Sequence, residues 1–319
     1  MGSNTVDVFV KTDADLLTIS HKGNTKKLLG YELGEKILVK NLQFKIGGSA
    51  TNAAVTFARQ KLKTGYLGKI GDDNNGVKVF KSLKKENIKF VGAIGKQTGY
   101  SVILESRYED RTILTYKGSN NKLRYNELDL KKIDAKWFYF TTMMEDSFET
   151  MKKLSKKLKK EKKKIAFNPS SYLATKGYDE LDALLKHVDV LVLNKEEASL
   201  LSKQKKLNDM LKSLKKHVND LVIITDAGNG ASLYDGKHKY SGKPKKVEIK
   251  ETTGAGDAFA SGFLSSHIRK KPLIQAFKSG FLQSESVIQH LGATNNILNK
   301  EELDKKLEQD TRSINKQKI

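Results

Sequence analysis

The sequence predicts an α/β fold, a central and mostly parallel sheet flanked by helices, carrying a small antiparallel β lid. Three observations lead there. From about residue 130 onward, short apolar β-type runs alternate with amphipathic helical stretches, the pattern of a parallel sheet covered on both faces. Two stretches, approximately 10–45 and 94–118, instead alternate apolar with polar positions between Gly and polar turns. And 319 residues with only Pro169, Pro244 and Pro272 leave no Pro-rich linker, so 1–319 reads as one α/β domain with the lid inserted at two points.

The lid stretches contain segments such as YSVILESRY and RTILTYKG, half-buried strands outside the main run. The parallel strands follow as WFYFTTM (137–143), KIAFNP (164–169), VDVLVLN (188–194) and LVIITD (221–226). Between them Phe148–Glu161, Tyr178–His187 and Lys195–His217 carry Leu at three- and four-residue spacing and read as helices. A sheet of this kind binds ligands at the carboxyl ends of its strands.

Composition excludes several classes. The formal charge is +22, but Arg occurs at six positions only, so the excess is Lys. Base-edge and bidentate phosphate readers favour Arg. The densest cluster, Lys152–Lys164, carries Leu154 and Leu158 at helical spacing and no aromatic, the signature of a solvated helix face. No nucleic-acid partner is expected. The chain has no Cys, hence no disulfide or thiolate chemistry, which fits a reducing, cytoplasmic setting. It has no long apolar run and no signal-like start, so no membrane partner is expected. GxxxxGK(S/T), a GxGxxG after the first strand and HExxH are all absent.

The strongest site signal is ETTGAGDAFASGFLSSHI, residues 251–268. Gly254, Ala255 and Gly256 form a small-residue turn into a helix, where unpaired N–H groups and the positive dipole end suit an anion. Two readings fit Asp257 at the helix start: a plain N-cap, or a carboxylate placed beside a bound anion. FKIGGSATNAAVTFARQ pairs Gly47 and Gly48 ahead of an Ala-rich helix with Asn52 in its first turn; a tight turn capping a packed helix fits as well. Asn194 to Glu197 directly follow a strand, where an acidic group could orient hydrated Mg²⁺ or the residues could simply start a helix, and Thr225–Gly230 is a Gly-containing turn after another strand that suits a nucleotide pocket or any hairpin.

Taken in order, these motifs resemble the ribokinase-like, PfkB-type carbohydrate kinases over about residues 2–298. The resemblance implies a ribokinase-like fold and an ATP-dependent phosphotransferase with an alcohol acceptor, a sugar (pentose or hexose) or, on the same scaffold, a nucleoside. It implies Asp257 as catalytic base, with the amides of Gly254, Ala255 and Gly256 as anion hole. Asn194 and Glu197 would position Mg²⁺ through water. Asp7, Gly47, Gly48, Asn52 and Glu145 would contact the substrate, and Thr225, Gly228, Gly230, Gly292 and Ala293 would hold ATP. Phe44, Tyr100 and Tyr108 are aromatics suited to a nucleobase and equally to packing between lid strands. Exposed lid strands of this kind pair across a homodimer. Two residues depart from the family pattern: Glu251 stands where Asp often helps hold a monovalent cation, and Ala227 where the nucleotide loop often has Gly.

Overall fold

A computed structural model describes residues 1–12, 15–21, 24–105 and 111–319. The chain runs β1 (Thr5–Lys11), β2 (Asp15–His21), β3 (Asn24–Gly30), β4 (Asn41–Gly47), α1 (Ser49–Arg59), β5 (Gly65–Tyr66), β6 (Lys69–Gly71) and α2 (Asn74–Lys85). It continues through β7 (Lys89–Phe90), β8 (Ala93–Gly95), β9 (Gly99–Glu105), β10 (Arg111–Tyr116), β11 (Trp137–Thr141), α3 (Glu145–Lys160), β12 (Lys164–Asn168), α4 (Ser171–Ala174) and α5 (Gly177–Leu185). Then come β13 (Val190–Asn194), α6 (Lys195–Ser202), α7 (Leu207–Lys215), β14 (Leu221–Thr225), β15 (Ala231–Tyr234), β16 (His238–Gly242), α8 (Ala255–Ile268), α9 (Leu273–Val287), α10 (Lys300–Glu308) and β17 (Asn315–Lys318).

The main sheet has the order β11-β12-β13-β14-β15-β16-β17. The first four strands pair in parallel and the last three add antiparallel. Their near-continuous apolar sequences follow from burial on both faces. Phe138, Phe140, Ile165, Phe167, Leu191, Leu193, Val222 and Ile224 pack with Met151, Leu154, Leu184 and Leu211 of α3, α5 and α7. The alternate positions Tyr139, Ala166, Val190, Val192 and Ile223 pack on Phe57 of α1 and on Phe259, Phe263, Phe277 and Phe281 of α8 and α9. Period-two alternation thus divides each strand between two cores.

A second sheet, β10-β9-β1-β4, is the lid expected from the sequence, with β2–β3 as a separate two-stranded ribbon. Three details differ from expectation. The lid recruits Thr5–Lys11 as an inner strand, and its β1–β9 pairing is parallel while β1–β4 and β9–β10 are antiparallel. Lys195–His217 is two helices: Lys203 takes a left-handed φ of 56° after α6, and the polar segment 203–206 carries no apolar residue to bury. The chain start is tied down on both sides, by Thr141 N–H donating to Met1 O (2.9 Å) and Gly2 N–H donating to Leu67 O (3.1 Å).

Candidate active site

The carboxyl ends of β11, β12, β13 and β14 converge with the starts of α1 and α8. Between them lies a cavity of about 240 Å³ lined by Ser49, Thr142, Asn168, Pro169, Ser170, Val192, Asn194, Glu197, Thr225, Gly254, Gly256 and Asp257. Strand-end hydrogen bonds fix its walls. Ser170 N–H donates to Thr142 Oγ1 (2.7 Å), Asn168 Nδ2 to Val192 O (2.9 Å) and Thr225 Oγ1 to Leu193 O (3.4 Å).

Asp257 sits in the first turn of α8. It does not act as that helix's cap: Gly254 is the N-cap, at φ 81°, and no side chain caps the turn. Instead the carboxylate accepts from Asn52 Nδ2 at 2.9 Å and from the Ser49 side chain, so the first turn of α1 orients it across the cleft. Burial pushes its pKa above the usual carboxylate range, and the two donors partly oppose that shift. Around it the amides of Gly254, Gly256 and Asp257 donate to no described acceptor, whereas Ala255 N–H closes a turn onto Thr252 O (3.2 Å). The amides left open to an anion are therefore those of Gly254, Gly256 and Asp257, whereas the expected set was 254–256. Gly254 is required twice over, by its positive φ and because a Cβ there would come within 2.4 Å of Ala293 Cβ.

Asn194 and Glu197 form a capping box at the start of α6: Glu197 N–H donates to Asn194 Oδ1 (2.8 Å) and Asn194 N–H to Glu197 Oε2 (2.9 Å). Burial raises Glu197 to about 7; its hydrogen bond from Asn194 N–H lowers it, and Glu196 and Asp257 push it further up. Carboxylate and carboxamide oxygens suit a hard cation, and a divalent ion beside them would restore the ionised form. Among the described residues no cluster of three or more His, Asp or Glu forms a direct metal cage. These residues thus fit Mg²⁺ held partly by water and phosphate.

Beyond Thr225 the loop to β15 closes through Asp226 N–H to Gly230 O (2.7 Å) and Gly230 N–H to Ala227 O (3.1 Å). Ala227 carries a left-handed φ of 44°, a position where Gly would be unstrained, which gives the departure at this residue a physical cost. Gly228 has open space around it, and Gly230, at φ 109°, allows the close approach of Gly242 O. Past this loop a larger cavity of about 640 Å³ is lined by Asp226, Asn229, Gly230, Ser241, Gly242, Lys243, Lys245, Arg312 and Asn315, among others. The buried Arg312, bonded to Glu285 (3.0 Å) and Asp310 (3.2 Å), anchors its far wall. Gly292 and Ala293, expected near the nucleotide, buttress the α8 turn. Ala293 touches Gly254, and Gly292 N–H donates to Glu251 Oε2 (2.7 Å). Glu251 Oε1 and Thr253 Oγ1 are buried without hydrogen-bond partners among the described residues.

The substrate-side residues come from the lid and the α1 turn. Asp7 is buried on β1, opposite Lys45 of β4 and Ser101 of β9, and its carboxylate lies over Gly47, whose Cβ would collide with Oδ2. Burial raises its pKa, while Ser101 and Thr5 hydroxyls and Lys117 lower it. Gly48, at φ 97°, caps α1 and passes Ser3 O too closely for a side chain. Glu145 opens α3 with a left-handed φ of 51° and accepts from Asn121 Nδ2 (3.0 Å), a strained residue held by its neighbour. Phe44 and Tyr100 pair with Val8 and Val6, so both lie on the lid face opposite Asp7; Tyr108 lies outside the described residues. Ser49, Thr142, Asn168 and Ser170 were not singled out from the sequence. For Thr142, Asn168 and Ser170 the available signal is position, at or just past the carboxyl end of an apolar run; Ser49 directly follows the paired glycines.

Residues 14–300 match the pfkB family carbohydrate kinase profile. A sugar kinase of unassigned substrate from Archaeoglobus fulgidus is 23% identical over 241 residues, 74% of this chain and 95% of that protein. A cytidine kinase from Thermococcus kodakarensis is 26% identical, covering 77% of this chain and 88% of that one. The crystal structure of a ribokinase from Thermotoga maritima superposes with a TM-score of 0.79 at 20% identity, over 97% of this chain and 98% of its own. The chain belongs to the pfkB family of carbohydrate kinases and is an ATP-dependent kinase of that class. No helix among the described residues is long and apolar enough to cross a membrane.

Proposed function

We propose that this kinase moves the γ-phosphate of ATP to a hydroxyl of a sugar, by in-line attack with Asp257 as base. One observation carries the reading. An ionisable carboxylate, aimed by Asn52 and Ser49, stands among free helix-start amides in a strand-end cavity. Phosphoryl transfer asks chiefly for positioning and charge neutralisation. The acceptor hydroxyl, held by Asp7 and the Gly47–Gly48 turn, passes its proton to Asp257 as the bond to phosphorus forms. Amides of the α8 turn stabilise charge on the transferring group. Adenosine occupies the larger cavity, with the Thr225–Gly230 loop between it and the phosphates. Mg²⁺, when bound at Asn194 and Glu197, neutralises phosphate charge. The raised pKa of Asp257 brings the base closer to the pH at which it works.

The test is Asp257→Asn with saturating ATP and acceptor. Loss of a general base costs a factor of about 10² to 10⁴ in turnover. A variant within about twofold of the parent sinks the assignment.

A nucleoside acceptor draws support from the cytidine kinase relative. A flat base needs an aromatic or apolar shelf beside Asp7, yet Phe44 and Tyr100 face away from it, which supports the sugar. The same outward face carries Leu42, Phe44, Leu114 and Tyr116, each about half exposed, and suits pairing with a second copy of the chain.

A further inference from the structure

The inner face of the lid carries a charge that the reading above does not use. Thr115, Ser101, Asp7 and Lys45 form one cross-strand row over β10, β9, β1 and β4. Lys117 follows two residues after Thr115, beyond the end of β10 and next to the row of Gly99, Thr5 and Gly47. It is half-buried, and among the described residues no carboxylate lies within ion-pair distance of it. Its ammonium stands 5.2 Å from the ring centroid of Tyr172, so it spans from the lid to α4 on the body of the protein. Asp7 attracts it through space without touching it.

A half-buried ammonium with a ring but no carboxylate beside it is costly, and an apolar or polar neutral side chain would avoid that cost. The turn that carries Lys117 is nonetheless rigidly built. Asn120 Nδ2 donates to Asn4 O (2.7 Å) and its Oδ1 accepts from Asn4 N–H (3.0 Å). Ser119 N–H donates to Gln97 O (2.8 Å) and Asn121 holds Glu145. Across the gap, two residues before Tyr172, Ser170 Oγ is buried without a partner in the cavity wall. Lys45 lies on the other side of Asp7, its stem against the Gly292 turn. Asp7, which would grip hydroxyls, is therefore attracted through space by Lys117 and repelled by Glu251.

From this geometry we infer that the acceptor is an anionic sugar, a sugar phosphate or sugar acid, whose negative group sits on Lys117 between the lid and Tyr172. The inference rests on the kinase reading and names its acceptor class. Asp7 reads hydroxyls at one end of the molecule and Lys117 reads charge at the other, while Asp257 meets the hydroxyl that is phosphorylated. The two anionic sources share one requirement, a charge-assisted hydrogen bond to the ammonium.

The experiment measures ADP release over matched acceptors: D-ribose against D-ribose 1-phosphate, D-fructose against D-fructose 6-phosphate, and D-glucose against D-gluconate, with uridine and cytidine as neutral nucleosides. The parent should prefer one anionic acceptor over its neutral counterpart by at least about tenfold in kcat/KM, and the phosphate and carboxylate arms tell which source it is. Lys117→Met should cut that anionic-to-neutral ratio by about 10- to 100-fold, mostly through KM, the range expected for a lost charged hydrogen bond; Lys117→Arg should recover part of it. Equal losses for neutral and anionic acceptors would make Lys117 a lid-to-body contact and overturn the inference. A neutral sugar or nucleoside as the best acceptor would overturn it too, with the kinase reading intact. No turnover of any acceptor in the panel would sink the kinase reading and this inference with it.

Discussion

The strand-end cavity and the inner face of the lid differ in what holds their charges. In the cavity, each ionisable group has donors from the backbone or from a fixed neighbour: Asp257 has Asn52 and Ser49, and Glu197 has Asn194 N–H. On the lid, Asp7 has Ser101 and Thr5, while Lys117 has, among the described residues, only a ring at cation–π distance. The cavity is complete before any ligand arrives, which is what electrostatic preorganisation requires. The lid is left short of a partner. Chemistry shared by many substrates belongs to the first region, and choice among substrates to the second.

The division predicts that damage to the cavity appears in kcat and damage to the lid in KM. Gly254→Ala is the severest probe short of the base itself. The new Cβ would need the left-handed region at φ 81° and would meet Ala293 at 2.4 Å, so the α8 turn must shift. Displacing the amides should lower kcat by about 10² to 10³, the cost of a lost oxyanion donor, with acceptor KM nearly unchanged. Steady-state kinetics decide it. A rise in acceptor KM with kcat preserved would break the division between the two regions.

Glu197 allows a second cut at the same comparison, through pH. Its folded pKa of about 7 lies above the ordinary value of 4.5, so the native state holds a proton that the unfolded chain has released. Stability therefore falls as pH rises from about 4.5 to about 7, and the full penalty persists above that. Glu197→Gln keeps the acceptor for Asn194 N–H and removes the charge. Thermal melts without ligand should show the variant more stable than the parent at pH 8 and no better at pH 5. The carboxyl is only half-buried, so solvent screening trims the gain to about 1 kcal/mol, or about 2–4 °C. Its kcat with MgATP should fall in exchange. An equal melting shift at both pH values would show that ionisation is not the cause.

The main sheet was legible in the sequence because its strands are apolar on both faces, so WFYFT, KIAFN, VLVLN and LVIIT announce themselves. Gly254–Asp257 was legible because a turn that must pass close to Ala293 at positive φ leaves glycine as its mark. Other features depend on assembly. Ser49, Thr142, Asn168 and Ser170 are ordinary polar residues that meet only when separate strands are laid side by side. The break at Lys203 was hidden because a left-handed Lys has no local sequence sign, unlike Gly. The place of Thr5–Lys11 in the lid was hidden because alternation gives a strand's faces but not its neighbours. Lys117 was one lysine among many until the structure showed it half-buried with no carboxylate at ion-pair distance among the described residues.

The two faces of the lid sharpen the comparison at its weakest end. The inner face holds Asp7 and Lys117; the outer face holds Leu42 and Leu114, 53% and 56% exposed on its two edge strands β4 and β10. Apolar groups on unpaired edges favour association with another chain. Leu42→Glu with Leu114→Glu puts charge there without touching the inner row, since both residues alternate away from Asp7. Sedimentation at about 50 μM should give the parent twice the mass of the 35.7 kDa chain and the double variant a single chain mass. Turnover should stay within about threefold, because no atom of the cavity has moved. A parent that sediments as one chain removes the dimer, and a variant that dissociates and loses turnover together would mean the outer face supports the inner one.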